Sequence, residues 1–352
     1  MPAALVLRVI HFTKTIFRGS LMITKVLDRN CANMRLDRYL RQAFPNESLS
    51  ALFAVLRKKK VRVNGIVAKG PLILHEGDTV CIYENFKSIN ATSEATTAIF
   101  PQKASGWGQP ASFSNRNFVK EHLNIILETE DYLIVDKPSG IPSQPGSGTR
   151  PGESLVDMLW QWGTDQQMDF KPTIAHRLDQ ETSGLLIAAL HGDVLRDFTR
   201  MLREHQIEKS YFALVHGNLS REKGTIRTTL TRTDSAKGAK MEVDSEGGKE
   251  SVTHYSVQRH LKGFDLVKIR LETGRMHQIR AHFASIEHPL AGDSRYGDFA
   301  LNRDLRKLCG LQRLFLHSCR LEFDWKGHHV VQDLPLPKEL QEVLKILDKG
   351  LF

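Results

Sequence analysis

The sequence predicts an α+β chain in two parts: a small α/β unit over residues 34–84, and a larger domain over 123–352 with a mixed, largely antiparallel sheet. Three observations lead there. The chain has 352 residues, more than one hydrophobic core usually serves. Periodicity disappears between residues 85 and 122, where Ser, Thr, Asn, Gly and Gln dominate around Pro101 and Pro110. Beyond residue 123, strand-like segments follow one another without the regular βαβ alternation of a doubly wound fold.

Residues 1–33 read as an unordered leader. Arg8, Lys14, Arg18 and Lys25 face no acidic side chain in residues 1–27, and Arg8, His11 and Lys14 interrupt the apolar run that a signal peptide needs. An organelle presequence is the competing reading, and Met22 an alternative start. In the small unit, helices are expected over Leu36–Phe44 and Leu49–Lys59. Leu49, Leu52, Phe53 and Leu56 fall at i, i+3, i+4 and i+7, one apolar face of the second helix. Val61-Arg62-Val63-Asn64-Gly65 alternates like a strand and closes on a turn, and Glu76-Gly77-Asp78 turns into the strand Thr79–Tyr83. Between residues 34 and 64 there are eight basic side chains and two acidic ones. Arg57, Lys58, Lys59, Lys60 and Arg62 gather where the second helix hands over to the strand. Such a run is commonly just a solvated face, but here it forms one edge of a helix with an apolar side, which suits a phosphate backbone.

Residues 85–122 are expected to be a flexible linker with one short ordered piece around Phe113–Phe118. In the larger domain, strands are expected at Asn124–Glu128, Tyr132–Asp136, Leu185–Leu190, Tyr211–His216, His254–His260 and Phe264–Glu272. A helix fits Val194–Glu204, with Val194, Leu195, Phe198, Met201 and Leu202 on one face. No internal repeat is present.

The net charge of +9 suits a polyanionic partner, although a basic solvated surface gives the same number. No apolar run approaches the roughly 20 residues of a membrane span. Cys31, Cys81, Cys309 and Cys319 include no CxxC pair, so neither a zinc site nor a disulfide framework is expected. A reducing, cytoplasmic setting, a monomer, and no membrane or metal partner are the expectations.

Three polar segments look costly for a purely structural domain. His176-Arg177-Leu178-Asp179-Gln180-Glu181-Thr182-Ser183-Gly184 runs straight into an apolar strand, an arrangement that can hold a carboxylate at the lip of a cleft. Lys209-Ser210-Tyr211 opens the next strand, and Thr273-Gly274-Arg275-Met276-His277-Gln278-Ile279-Arg280-Ala281-His282 ends a strand and begins a basic helix. Singly, Asp179 would be a loop cap, Tyr211 a core tyrosine, and Arg275 and Arg280 surface or phosphate contacts.

Together, these segments resemble the RluA-type pseudouridine synthases. The resemblance extends over residues 123–335 and includes Asp136-Lys137-Pro138-Ser139-Gly140, His288-Pro289-Leu290-Ala291-Gly292-Asp293, Arg295-Tyr296-Gly297-Asp298 and Leu314-Phe315-Leu316-His317. The unit over 34–84 resembles the S4 RNA-binding module, through Arg35-Leu36-Asp37-Arg38-Tyr39-Leu40, the Arg57–Lys60 cluster and the two turns. An S4 module ahead of such a domain, with Leu311–His317, is similar to the branch acting on large-subunit ribosomal RNA.

The resemblance implies a specific chemistry. The ribose–base nitrogen bond breaks, the base turns and rejoins through carbon, and no electron carrier is needed. No cofactor is therefore expected, in agreement with the absence of a nucleotide-binding glycine fingerprint. Asp179 maps onto the catalytic carboxylate, which attacks the sugar, attacks the base or removes a sugar proton. Arg280 maps onto the arginine that keeps it ionised, and Tyr211 onto the phenol that stacks on the base and assists proton removal. Arg177 maps onto the arginine that fills the space left by a flipped uridine. His176, Arg275 and His277 join it as expected RNA contacts, with Arg57, Lys58, Lys59, Lys60 and Arg62 in the S4-type unit. Two rivals remain at this point: a catalytically silent RNA-binding protein, and a base–sugar hydrolase pairing Asp179 with Glu181.

Overall fold

The computed structural model describes residues 13–17, 20–44, 47–83, 116–146, 150–235, 238–244 and 247–350. They divide into two units near residue 112.

The first unit contains β1 (Thr13–Phe17), β2 (Ser20–Val26), α1 (Leu36–Ala43), α2 (Leu49–Arg57), β3 (Val61–Val63), β4 (Ile66–Val67) and β5 (Thr79–Tyr83). Its strands form an antiparallel sheet in the order β1-β2-β5-β3-β4. Ile23, Leu36, Leu40, Leu52, Val55, Val61, Leu74 and Ile82 bury against one another as its core. Ser48 caps α2 by accepting from the Ala51 N–H, as a hydroxyl at that position should.

Two expectations fail here. Residues 13–26, assigned to an unordered leader, include strands: β2 pairs with β5 from Met22↔Tyr83 to Val26↔Thr79, and β1 pairs with β2. Pairing with β5 fixes the β2 strand, and Ile23 goes into the core. The apolar face expected on α2 is also rotated. Leu52 and Val55 are buried, whereas Leu49 and Phe53 are 50% and 47% exposed.

The second unit opens with α3 (Arg116–His122), inside the span read as linker; residues 85–115 of that span lie outside the described residues. It continues with β6 (Asn124–Glu128), β7 (Tyr132–Lys137), α4 (Leu155–Asp165), β8 (Thr173–Ile174), β9 (Ser183–Ala189), α5 (Gly192–Arg203) and β10 (Glu208–His216). Then come β11 (Lys223–Ser235), β12 (Gly238–Val243), β13 (Lys249–Leu261), β14 (Phe264–Leu271) and α6 (Gln278–Ser285). The unit closes with α7 (Phe299–Cys309), β15 (Leu316–Trp325), β16 (His328–Asp333) and α8 (Lys338–Asp348). The strand order is β12-β11-β13-β14-β10-β15-β9-β7-β6, with β16 on β15 and β8 on β9. Every neighbouring pair is antiparallel except β9 with β15, so the sheet is mixed and largely antiparallel. The acidic, glycine-rich stretch Glu242–Glu250 joins β12 to β13, and its Glu250 pairs with Arg227.

Alternation along the strands sorts side chains onto two faces. Leu133, Val135, Leu186, Ala188, Ala213 and Val215 join Leu155 and Leu159 of α4 and Ile279 and Phe283 of α6. Their neighbours Tyr132, Ile134, Leu185 and Ile187 join Val194 and Phe198 of α5 on the other face. There, Leu214 and Leu266 also meet Leu305 of α7 and Leu340 and Val343 of α8. β9 is buried along its whole length because both faces are covered, which is why it reads as an unbroken apolar run. Among the described residues no helix is long and apolar enough to cross a membrane.

Candidate active site

The loop bearing Asp179 connects β8 to β9, at the parallel junction with β15. His317 pairs with Ser183 and Ser318 with Gly184. Gly184 takes φ +111, and a Cβ there would lie 2.2 Å from the Ser318 carbonyl oxygen. Only glycine lets the two strands approach so closely in that conformation.

Residues 137–143 grip the loop. Ser143 is buried; its hydroxyl donates to the Leu178 carbonyl at 2.6 Å and accepts the Leu178 N–H at 3.0 Å. The Gly140 N–H donates to the Gln180 carbonyl, the Gln180 amide returns to the Gly140 carbonyl, and Ser139 donates to the Glu181 carbonyl. Lys137, fully buried, directs its Nζ at the carbonyls of Pro138, Ile141 and Gln180, at 2.8, 2.7 and 3.1 Å. Burial and the nearby Arg313 bring its ammonium down to about 7. The Asp136–Gly140 stretch, which carries part of the resemblance, leads into this clamp.

Asp179, with a side chain 19% exposed, then faces α6. Arg280 Nη1 stands 3.5 Å from its Oδ2, and His277 Nε2 stands 3.8 Å from the same oxygen. Both distances are longer than a hydrogen bond, and the Arg280 approach is a contact of charge. Arg280 itself is buried. Its Nε and Nη2 donate to Asp293 at 2.7 and 2.8 Å, and Nη2 also donates to Glu181 at 3.2 Å. Asp293, fully buried, further accepts the backbone N–H groups of Arg295 and Tyr296. Burial alone would push the Asp293 carboxyl up, but Arg280 and these N–H groups hold it below the usual range. Burial works against the Arg280 charge too, and the Asp293 carboxylate more than restores it. The ring of Tyr296 lies 5.4 Å from the guanidinium carbon, and its hydroxyl accepts the Met241 N–H and meets His277 Nδ1 at 3.1 Å. Burial lowers the His277 imidazole below the ordinary histidine value, with the Asp179 charge opposing.

A cleft of about 290 Å³ opens over this arrangement, lined among others by Asp179, Tyr211, Arg280, Arg177, Arg275 and His277. Tyr211 projects from β10 and is 5% exposed. Burial, and secondarily the Asp179 charge, raise its phenol well above the ordinary tyrosine value, with Ser318 as a weaker opposing contact. A basic role would have needed help from the surroundings, and these surroundings oppose it.

The expected residues of the larger domain therefore meet in one cleft, with one change of character. His176 lines it, but its Nε2 accepts the Ile187 N–H, and burial with Lys209 nearby lowers it to about 3. A neutral acceptor already engaged by backbone is poorly suited to phosphate. Arg177 is exposed at the rim. In the first unit Arg57, Lys58, Lys59 and Arg62 are exposed and Lys60 is half-buried. Asp293 and Tyr296 were not singled out from sequence. Both lie in segments that carry the resemblance, Pro289-Leu290-Ala291-Gly292-Asp293 and Arg295-Tyr296-Gly297-Asp298, and Gly292 at φ +75 passes close to the Arg313 carbonyl. No group of three or more His, Cys, Asp or Glu among the described residues could hold a metal, and the converging carboxylates here share a guanidinium instead.

Residues 131–285 match the model of the RNA pseudouridylate synthase family, and residues 34–80 match the S4 domain. The ribosomal large subunit pseudouridine synthase C of Pasteurella multocida is 31% identical over 90% of this chain and 91% of its own length. The protein of the same name from Escherichia coli is 31% identical over 88% of this chain and 90% of its own. Among solved structures, human RNA pseudouridylate synthase domain containing 1 matches with a TM-score of 0.52 and 26% identity, covering 62% of this chain and 84% of the other.

Proposed function

The chain belongs to the RNA pseudouridylate synthase family, and on that premise we propose that it converts uridines of large-subunit ribosomal RNA to pseudouridine, with Asp179 as the catalytic carboxylate. The observation that carries the assignment is the meeting of Asp179, Arg280 and Tyr211 in one cleft. The reaction breaks the N1–C1′ bond, turns the base and forms a C5–C1′ bond. C5 loses a proton and N1 gains one, so the mass of the RNA does not change.

Asp179 suits this work because its carboxylate accepts no hydrogen bond from the described residues. Both oxygens remain available to a nucleoside, and the Arg280 guanidinium 3.5 Å away faces the carboxylate with its charge. A cleft of about 290 Å³ takes one nucleoside and not a duplex, so the uridine must leave its helix. Arg177, exposed at the rim, is placed to occupy the gap, and Arg275 and His277 to meet the flipped nucleotide. Tyr211, a neutral phenol, forms an apolar platform under the base. The S4 unit adds electrostatic affinity through Arg57, Lys58, Lys59, Lys60 and Arg62.

The hydrolase rival is disfavoured by Glu181, whose carboxylate is engaged by Arg280 and by the Ser294 hydroxyl rather than left free to activate water. The test is incubation with unmodified large-subunit ribosomal RNA, followed by carbodiimide-dependent primer-extension mapping. New stops are expected, and Asp179→Asn should abolish them while leaving RNA affinity nearly intact. Release of free uracil, or stops that persist in the variant, would refute the assignment.

A further inference from the structure

Helix α7 leaves the active site as a rigid extension of the turn that holds Arg280. The Asn302 side chain accepts the Gly292 N–H at 2.7 Å and donates to the Asp293 carbonyl at 2.9 Å. Asp298 caps the helix by accepting from Ala300 and Leu301, and Leu305 and Cys309 anchor its inner face in the core. The backbone of α7 is thus fixed to the same Asp293 whose carboxylate clamps the catalytic guanidinium.

Among the described residues its outer face has no structural partner. Phe299, Arg303 and Lys307 fall at i, i+4 and i+8 and form one ridge, with Arg306 beside it. All four are exposed, Phe299 at 66%, and none of the three cations forms an ion pair among the described residues. Asp304 is the one acidic residue of the helix. An exposed aromatic ring in line with cations on a fixed helix has the two elements of a single-strand platform: a face for a base to stack on, and positive charge spaced to follow phosphates.

We propose that this ridge of α7 is an RNA-docking surface of the catalytic unit, with an unpaired base of the substrate stacked on Phe299 and the adjoining phosphates on Arg303, Arg306 and Lys307. The inference rests on the RNA-modifying reading above and extends it to nucleotides flanking the target. The charge of the ridge and its attachment to the Arg280 turn favour nucleic acid over a second copy of the chain, which would bring its own cations against these.

The full chain and an unmodified transcript of large-subunit ribosomal RNA supply the test. Phe299→Ala should weaken binding roughly tenfold, the effect falling on KM rather than kcat, and Phe299→Trp should restore it. Replacing Arg303, Arg306 and Lys307 together by alanine should flatten the log–log salt dependence of binding by about 2. Leu308→Ala, an exposed apolar change off the ridge, should do neither. Wild-type protein that modifies the transcript while Phe299→Ala binds and reacts equally well would overturn the ridge alone. Wild-type protein that neither binds nor modifies the RNA would overturn the functional reading and this one with it. A dimer in sedimentation that Phe299→Ala dissolves, with RNA affinity unchanged, would assign the face to self-association and also sink the proposal.

Discussion

Arg280 gives hydrogen bonds to Asp293 and Glu181 but only its charge to Asp179, which its Nη1 approaches no closer than 3.5 Å. The guanidinium is oriented from behind by a fully buried carboxylate, so Asp179 meets its charge without having its own lone pairs occupied. Asp293→Ala would leave the Arg280 charge buried and unclamped, a change that typically costs about 3–5 kcal/mol, and should lower the urea midpoint accordingly. Asp293→Asn keeps the volume and one acceptor oxygen but points an amide at Arg280 Nε. It should fold, and its single-turnover rate should fall by at least about tenfold as the fork is lost. A variant with wild-type rate would show that Arg280 is set by other contacts.

Tyr211 offers a second prediction. Its phenol is raised by burial and by Asp179, so it stays protonated across the working range. Turnover should not climb between pH 8 and 10 as it would if phenolate were the active form, and Tyr211→Phe should leave the shape of that alkaline limb unchanged. Rate measurements over this range, with RNA saturating, would decide it. An alkaline rise that vanishes in the phenylalanine variant would restore the hydroxyl as a base.

How far these features could be read in advance depended on the distance over which each signal acts. The strand Asn124–Glu128 and the strand Thr79–Tyr83 were legible to the residue, because alternation and turn chemistry are local. That Asp179, Tyr211 and Arg280 line one cleft was legible only from a set of segments whose order resembles a family, since nothing local distinguishes an aspartate at a cleft from a loop cap. The Arg280–Asp293 clamp links residues on α6 and in the turn before α7. The three carbonyls around Lys137 come from two loops, and no spacing rule joins such groups. The strand at Ser20–Val26 was missed because it is strand-like only when its pairing with β5 is known. The turned face of α2 was missed because Leu49, Leu52, Phe53, Val55 and Leu56 permit two overlapping stripes, and only packing selects the one through Leu52 and Val55.

Gly184 is the most sensitive backbone position near the site. Alanine there would place a methyl 2.2 Å from the Ser318 carbonyl oxygen and force φ +111 on a residue with a Cβ. The conformation alone costs about 1–3 kcal/mol. The clash would add to this by parting β9 from β15, the parallel junction that sets the Asp179 loop. Gly184→Ala should therefore express poorly or melt many degrees lower than wild type, and any soluble fraction should lack activity. A stable, active variant would mean that the two strands separate without disturbing the loop.

Acid should destabilise the second unit through two fully buried histidines, His282 and His317. Burial lowers each to about 4, with Arg313 contributing at His317. Each also has one buried ring nitrogen, Nδ1 of His282 and Nε2 of His317, without a hydrogen-bond partner among the described residues; at His317 the backbone of Pro335 and Leu334 opposes the shift only in part. In the unfolded chain both would titrate near 6.5. Between about pH 6.5 and pH 4 the unfolded state thus binds more protons than the folded one, so stability falls as pH falls through that window. The loss between pH 7 and pH 5 amounts to roughly 2 kcal/mol per histidine. Urea unfolding at the two values should show it. His176, lowered to about 3, adds a similar share, so His317→Leu, whatever its own stability, should remove no more than about a third of the pH-dependent difference. A difference unchanged in the leucine variant would assign the acid sensitivity to other groups.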